Sequence, residues 1–190
     1  MEEELEEDDF DINLPKDYLG QAGEYLTAGK LLLNGFNVFH GAIDDGIDIV
    51  ASKDNRFYKI QVKTCQDIEG YDSGKFMANV NLSTLSKHDV KTTYVVFVVH
   101  YLNGQISLDN AGDHNTYDQD FIVLPAQKIF DLVGANNGHA VINIRSSLVT
   151  DDHGKDFMYK AIHKGNVLVL DDYLIESFAQ IVEDTDEGKV

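Results

Sequence analysis

The stretch Gly20–Cys65, which reads GQAGEYLTAGKLLLNGFNVFHGAIDDGIDIVASKDNRFYKIQVKTC, decides the fold. It begins with a helical pattern and continues with three short runs in which apolar and polar residues alternate, as they do in strands. Four polar residues stand where a buried core would not need them: Glu24, Asp48, Gln61 and Lys63. These four side chains are the candidates for function.

The helical pattern predicts a helix from Tyr18 to Leu33, which Asp17 can cap and Asn34-Gly35 can end. Its predicted apolar face consists of Leu19, Ala22, Leu26 and Leu33. Glu24 shares a second row with Ala28 and Leu31, so it is expected to face protein rather than open water. A buried carboxylate needs a cation or hydrogen-bond donors. The alternative is a surface glutamate at the margin of the helix.

Three strands with short connections are predicted next, at Phe36–His40, Gly46–Ala51 and Phe57–Thr64, and they indicate an antiparallel meander. In the second strand, Ile47, Ile49 and Ala51 point to one face, and Asp48 and Val50 point to the other. In the third strand, one face carries Tyr58, Ile60 and Val62, and the opposite face carries Lys59, Gln61 and Lys63.

The rest of the chain predicts shorter elements. In order, they are a loop over 66–79, a short helix or turn at Asn81–Asp89 that Ser83 can cap, a strand at Thr93–Leu102, a turn at Asn103-Gly104 before a strand at Gln105–Leu108, a loop at Asp109–Asp120, a strand at Phe121–Leu124, a helix at Pro125–Val133, and strands at His139–Ile144 and Asn166–Leu170. A final helix is predicted from Asp171 or Asp172, with an apolar stripe of Leu174, Ile175, Phe178, Ile181 and Val182. The strand at Thr93–Leu102 is the most apolar and is expected to be central.

The net charge of −18 is concentrated at the two ends of the chain. Residues 1–11 hold eight acids and no base, and residues 171–190 hold seven acids and one lysine. A single domain is therefore predicted over residues 14–183, between an acidic tail (1–13) and a polar tail (184–190). The acidity argues against a strongly basic nucleic-acid face. A local basic cluster nevertheless consists of Lys53, Arg56, Lys59 and Lys63.

The composition also bears on location. The longest strongly apolar run, Tyr94–Val99, is far shorter than the roughly 20 residues of a membrane helix. The N-terminus is acidic, unlike a signal peptide. Cys65 is the only cysteine, so no internal disulfide is expected. We expect a cytoplasmic protein without a membrane partner.

The candidate residues suit phosphodiester hydrolysis. Mg²⁺ prefers oxygen ligands and commonly uses one or two carboxylates together with waters and substrate phosphates. Asp48 offers a carboxylate, and Gln61 offers an amide oxygen. Lys63 lies two residues further along the same face, about 7 Å away, where its ammonium group can hold a phosphate oxygen or help to orient and deprotonate the attacking water. Glu24 can complete the acidic group.

In order and spacing, this set resembles the PD-(D/E)XK nuclease superfamily. The resemblance covers about a quarter of the chain, from Gly23-Glu24 through Asp44 and GIDIVA (46–51) to IQVKT (60–64). It implies an α/β (α+β) restriction-endonuclease-like fold, in which a mixed central sheet is flanked by helices. Asp48 matches the metal-binding aspartate, Lys63 the catalytic lysine and Glu24 the helix glutamate. The implied activity is Mg²⁺- or Mn²⁺-dependent cleavage of DNA, branched or single-stranded DNA included, by what is often a homodimer, in restriction, repair or mobile-element biology.

Two positions depart from the family pattern. Ile47 stands where the proline of the family name would be, and Gln61 replaces the second acid. The loss of that acid removes a negative charge and should weaken metal binding, although some active members use glutamine there, and Glu24, Asp44 and Asp45 can compensate. The alternative hypothesis is a module of the same fold that lacks catalysis. Such a module would bind a protein partner through its acidic tails and surface, or mimic nucleic acid.

Overall fold

The structure, a computed structural model, describes residues 16–41, 46–66, 74–100, 119–134, 138–151, 154–174 and residue 181. Its elements are α1 (Lys16–Leu33), β1 (Asn37–His40), β2 (Ile49–Lys53), β3 (Arg56–Gln66), β4 (Lys75–Asn81), α2 (Leu82–Leu85), β5 (Thr93–His100), β6 (Gln119–Pro125), α3 (Ala126–Val133), β7 (His139–Asp151), β8 (Gly154–His163) and β9 (Asn166–Val169). A 3₁₀ turn at Asp171–Tyr173 follows.

The strands form two sheets, a five-stranded one in the order β1-β2-β3-β5-β6 and a four-stranded one in the order β4-β7-β8-β9. Strands β1, β2 and β3 form the predicted antiparallel meander. Strands β3 and β5 run parallel, and the chain crosses between them through β4 and α2, so the first sheet is mixed. The predicted α/β class, with an N-terminal helix followed by a meander in a mixed sheet, is confirmed.

Two hydrophobic cores lie on the two faces of the first sheet. On one face, α1 packs Ala28 and Leu31 against β2, β3 and β5. On the other face, β5 packs Val95 and Phe97 against Phe76 of β4 and the second sheet, with α2 and α3 beside them. The sheet is thus covered by a helix on one side and by a second sheet with two short helices on the other. Every residue of β5 is buried, in agreement with its predicted central place.

Helix α1 begins two residues earlier than predicted and ends as predicted. The Asn34 Nδ2 donates to Lys30 O at 2.8 Å, and Gly35 adopts a φ of +80°, a conformation in which glycine is free of strain. The predicted apolar face is wrong at its C-terminal end, because Leu33 is 86% exposed. The buried residues are Leu19, Gly23, Thr27, Ala28 and Leu31. The row that Glu24 shares with Ala28 and Leu31 is therefore the one nearer to the core.

Three further expectations need correction. The loop predicted over 66–79 contains most of β4, in which Phe76, Ala78 and Val80 alternate into the core. Helix α2 is capped by Asn81 rather than by Ser83, because the Asn81 side chain accepts from Thr84 N. The strand expected at His139–Ile144 extends to Asp151 and pairs with β8, a strand that was not predicted.

Several expectations fall outside the described residues. These are both tails, the turn at Asn103-Gly104 with the strand after it, Asp44 and Asp45, and most of the final helix. The end of the loop predicted at Asp109–Asp120 is described, and there Gln119 and Asp120 belong to β6. The domain bounds stay a prediction. Within the described part of the chain, no helix combines the length and apolarity that crossing a bilayer requires.

Candidate active site

The two faces of β3 differ as the alternation predicts. Tyr58 and Ile60 are completely buried under α1. The opposite face carries Lys59, Gln61 and Lys63; Gln61 is 2% exposed, and the two lysines are half-buried. This second face turns toward β4 and α2, and the Lys59 Nζ lies 3.1 Å from His88 Nδ1, just beyond α2.

Asp48 is bound to β3 through its backbone and its side chain. Its N–H donates to Ile60 O at 3.0 Å, and its Oδ2 accepts from Val62 N at 2.6 Å. A hydrogen bond to a charged oxygen is stronger than a neutral one, so this contact holds the carboxylate beside the strand. Since Ile49 pairs with Ile60, Asp48 comes level with Gln61. The structure thus brings Asp48 to the strand that carries Gln61 and Lys63.

In the Gln61 side-chain amide, the nitrogen makes a hydrogen bond and the oxygen makes none among the described residues. Its Nε2 donates to Gly46 O at 2.8 Å. A carbonyl oxygen only accepts hydrogen bonds, so this contact fixes which end of the amide is nitrogen. The Oε1 therefore points away from Gly46, and it is buried with no hydrogen-bond partner among the described residues. An unsatisfied buried acceptor typically destabilises a fold by about 1–3 kcal/mol.

Gly46 makes this arrangement possible. Its φ is +81°, in the region that glycine adopts without strain. A Cβ added at this position would overlap the Thr84 side chain of α2 and come within 3.5 Å of Gln61 Nε2. The backbone can therefore approach both β3 and α2 closely only without a side chain at residue 46.

A cavity of about 410 Å³ opens between the first sheet and the second. It is lined by residues of β3, β4, α2 and their flanks, namely Gly46, Gln61, Lys63, Asn79, Asn81, Thr84, Lys87 and His139. Sequence reasoning found Gln61 and Lys63 and missed the opposite wall. The signal for that wall was the alternation in KFMANVN (75–81), which places Asn79 and Asn81 on the face opposite the buried residues of β4.

Glu24 lies on the other side of β3 from this cavity. Helix α1 approaches the strand most closely at Gly23, where an added Cβ would overlap the Thr64 hydroxyl. Thr64 and Val62 point toward α1, whereas Lys63 points into the cavity. Neither Glu24 nor Asp48 belongs to the described cavity lining. The structure thus groups Asp48, Gln61 and Lys63 through β3, and it places half-buried Glu24 next to the point of contact between α1 and the strand.

The possible metal ligands are few. Among the described residues, no three His, Cys, Asp or Glu side chains converge on one point. Two of the side-chain oxygens on β3 and at its side are those of the Asp48 carboxylate and the Gln61 amide, and oxygen ligands suit Mg²⁺ or Mn²⁺. Cys65 does not extend this set, because it is 1% exposed and burial raises its pKa to about 12. A buried, protonated thiol is a poor metal ligand.

Comparison with known proteins adds little. No family model and no curated protein matches the chain. Among solved structures, the chain is similar to a bacterial homing endonuclease, with 13% sequence identity and a TM-score of 0.43 over 67% of this chain and 74% of that one. A likeness of this degree assigns no activity and no residue role to this chain.

Proposed function

We propose that this protein is a divalent-metal-dependent endonuclease that hydrolyses phosphodiester bonds in DNA. The observation that carries the proposal is the buried Gln61 Oε1, which lacks a hydrogen-bond partner among the described residues and belongs to a side chain that lines the same cavity as Lys63. A hard cation would satisfy this oxygen, and the Asp48 carboxylate beside β3 is the natural second ligand.

In the proposed site, Asp48 and Gln61 hold Mg²⁺ or Mn²⁺. A bound divalent ion would supply positive charge to the phosphate and lower the pKa of a water molecule. The protein's own part is to keep both oxygen ligands in place, Gln61 through Gly46 O and Asp48 through Val62 N. Both anchors are backbone groups, so a change that displaces the backbone, such as a side chain at Gly46, should impair the site without removing a ligand.

Lys63 is proposed to hold a non-bridging phosphate oxygen and to orient the attacking water. Its ammonium group is a compact charge with three donors on a flexible stem, which suits a phosphate that must be bound and released. Glu24 is retained as a candidate on the α1 side of β3. Because it lies outside the cavity lining, its contribution needs a test separate from that of Asp48.

A neutral glutamine has a consequence for the order of binding. With Asp48 as the only charged ligand, the free protein should bind a divalent ion weakly. Because DNA phosphates also coordinate such ions, we expect DNA to strengthen metal binding. The PD-(D/E)XK resemblance refines the proposal to cleavage of duplex, branched or single-stranded DNA by a homodimer, in restriction, repair or mobile-element biology.

The test is cleavage of duplex, branched and single-stranded DNA and of RNA with Mg²⁺ or Mn²⁺. We expect Asp48→Asn and Lys63→Ala to lower the rate by about 10²–10⁴-fold, the range for loss of one group that acts in the transition state. Asp54→Asn, in the exposed β2–β3 turn, is the matched control and should keep full activity. Failure of the wild-type protein to cleave any of these substrates with either metal would falsify the proposal.

The net charge of −18 and the neutral Gln61 favour a second candidate, a catalytically inactive module that binds a protein partner or mimics nucleic acid. Such a module predicts no Mn²⁺ binding by calorimetry, with or without DNA. It also predicts that a partner recovered by pull-down is retained equally by wild-type protein and by Asp48→Asn. The nuclease predicts Mn²⁺ binding that Asp48→Asn abolishes.

A further inference from the structure

We infer that the wall of the cavity opposite β3 is a binding site for a backbone phosphate of nucleic acid, next to the phosphate that is cleaved. We call this wall, made of Asn79, Asn81, Lys87 and His139, the phosphate wall. The inference extends the proposed function, since it takes nucleic acid as the ligand. It concerns binding alone, so it can be tested without metal and without cleavage.

The charge of the cavity sets it apart from the rest of the molecule. The chain has 33 acids and 15 lysines and arginines. The described lining nevertheless contains two lysines, Lys63 and Lys87, one histidine, and no carboxylate. The described lining therefore presents lysine and amide donors, which suit an anion with several oxygens.

The hydrogen bonds of Asn81 engage its acceptor and leave its donor end for a ligand. The Asn81 Oδ1 accepts from Thr84 N at 3.2 Å and from Ser83 Oγ at 2.7 Å. Its carbonyl end is therefore engaged, and the amide nitrogen is the end that can serve an anion. The Lys87 N–H donates to Thr84 O at 3.0 Å, so the backbone at Lys87 is held to α2.

Three residues of the wall, Asn79, Asn81 and His139, lie on two paired strands, which keeps their backbones at fixed distances. Asn79 and Asn81 lie on one face of β4, and Asn81 pairs with His139 of β7. The adjoining backbone is also bound, because Leu82 N donates to Gly138 O at 2.9 Å. Donors held in place in this way lose little conformational entropy when a ligand binds.

The size of the cavity indicates which part of a nucleic acid it takes. At about 410 Å³, it falls within the range of about 300–1,000 Å³ that is usual for sites of small ligands. A phosphate together with its attached sugar fits such a volume. Gln61 and Lys63 line the opposite side of the same cavity. A strand whose scissile phosphate lies at Lys63 can therefore reach the phosphate wall with a neighbouring phosphate.

The first test measures binding of a short DNA duplex by fluorescence anisotropy in EDTA, over a series of salt concentrations. Lys87→Ala should weaken binding and reduce the slope of log K against log salt by about 1, as expected for one lost phosphate contact. Lys91→Ala is the matched control, an exposed lysine four residues on that is not part of the cavity. It should leave affinity and slope unchanged.

Equal losses in Lys87→Ala and Lys91→Ala would show general charge attraction and overturn the inference. Unchanged binding in Lys87→Ala would also overturn it. In that case, metal-dependent cleavage lost in Asp48→Asn would still support the nuclease. Conversely, loss of binding in Lys87→Ala together with absence of cleavage would support the phosphate wall and reject the enzyme. Absence of DNA binding by the wild-type protein would reject the phosphate wall.

The second test asks whether a phosphate group alone is recognised. Titration of the wild-type protein with inorganic phosphate and pyrophosphate, followed by NMR of the side-chain amides, should shift the Asn79 and Asn81 signals. Asn79→Asp keeps the size of the side chain, adds a negative charge and leaves Asn81 as the reporter, so it should abolish the shift of the Asn81 signal and weaken DNA binding. An Asn81 shift of wild-type size in Asn79→Asp would overturn the inference. A response to phosphate without any DNA binding would identify a free-anion site and overturn it as well.

Discussion

At the scale of single residues, Gln61 determines what the site can do. A glutamate at this position would add charge for a metal but would meet Gly46 O, an acceptor, where the glutamine now donates. The glutamine joins β3 to the Gly46 backbone by a hydrogen bond, and its Oε1 has no hydrogen-bond partner among the described residues. In the proposed metal site, the glutamine therefore stabilises the metal-free fold and binds the metal more weakly than a glutamate would.

Gln61→Glu should lower the stability of the metal-free fold and raise the metal affinity of the proposed site. Without metal, we expect the free energy of unfolding at neutral pH to fall by about 1–3 kcal/mol, because a buried carboxylate replaces a satisfied donor. With Mn²⁺, the melting temperature of the variant should rise more than that of the wild type, since the site gains a charged ligand. Gln21→Glu makes the same change at an exposed position of α1 and serves as control. An equal Mn²⁺ response in both variants and the wild type would contradict a metal role for residue 61.

His100 should make the fold sensitive to mild acid. It is 8% exposed at the end of β5, and burial lowers its pKa below the ordinary value of 6.5. Between the folded pKa and 6.5, the unfolded chain binds more protons than the fold does. Stability contributed by neutral His100 is therefore present above 6.5 and is lost as the pH falls from 6.5 toward the folded pKa.

The slope in that window can reach at most about 1.4 kcal/mol per pH unit for this one group. Urea unfolding at several pH values measures the free energy of unfolding of the wild type and of His100→Gln. This free energy should fall less steeply with decreasing pH in the variant. His40→Gln, at an exposed position of β1, should keep the wild-type slope. Identical slopes for wild type and His100→Gln would show that this histidine is not the group that titrates.

At the scale of elements, the contact between α1 and β3 depends on a glycine. Gly23 is buried, and a Cβ there would overlap the Thr64 side chain. Gly29, two turns further along the same helix, has no atom within 4 Å of such a Cβ. The same substitution in one helix should therefore have opposite effects at the two positions.

Gly29→Ala should stabilise the protein by about 0.5–1 kcal/mol through helix propensity. Gly23→Ala should destabilise it by about 1–3 kcal/mol through overpacking, and Thr64→Ala should recover part of that loss in the double variant. Chemical denaturation measures all three. If Gly23→Ala has the same free energy of unfolding as Gly29→Ala, then α1 does not contact β3 closely at residue 23.

The sequence predicts some secondary-structure elements and misses others. Helix α1 and strands β1, β2 and β3 follow local patterns and were predictable, as was the face that Gln61 and Lys63 share. β4 was missed because its alternation, centred on Ala78, is short and follows glycines. Lys87 and His139 were not predictable as site residues. They reach the cavity through the crossover and the β4–β7 pairing, which no local pattern encodes.

At the scale of the whole molecule, charge opposes the proposed function. The protein carries −18, and residues 1–11 alone hold eight of its acids. Like charges repel DNA over a Debye length of about 10 Å at 0.1 M salt. A DNA enzyme with this composition depends on a local site such as the cavity, where lysines and amides face the ligand.

Removal of residues 1–11 should raise DNA affinity at low salt, whether the tail acts by general repulsion or by covering the site. The gain should vanish at high salt, where exposed charges are screened. Anisotropy titrations of full-length and shortened protein would measure it. A variant that keeps the tail and replaces its eight acids by their amides separates charge from bulk. If shortening brings no gain at low salt, the tail serves only solubility.

The complete burial of β5 has a consequence for hydrogen exchange. Its amides lie between β3 and β6, under α1 on one side and the second sheet on the other. Deuterium can enter this strand only when both layers separate, which is global opening. Gln61 and Lys63 pair with Val95 and Phe97 of β5. We therefore expect the two candidate catalytic residues to belong to the slowest-exchanging part of the described chain. Ligand-induced protection should appear instead at β4 and α2, on the other side of the cavity.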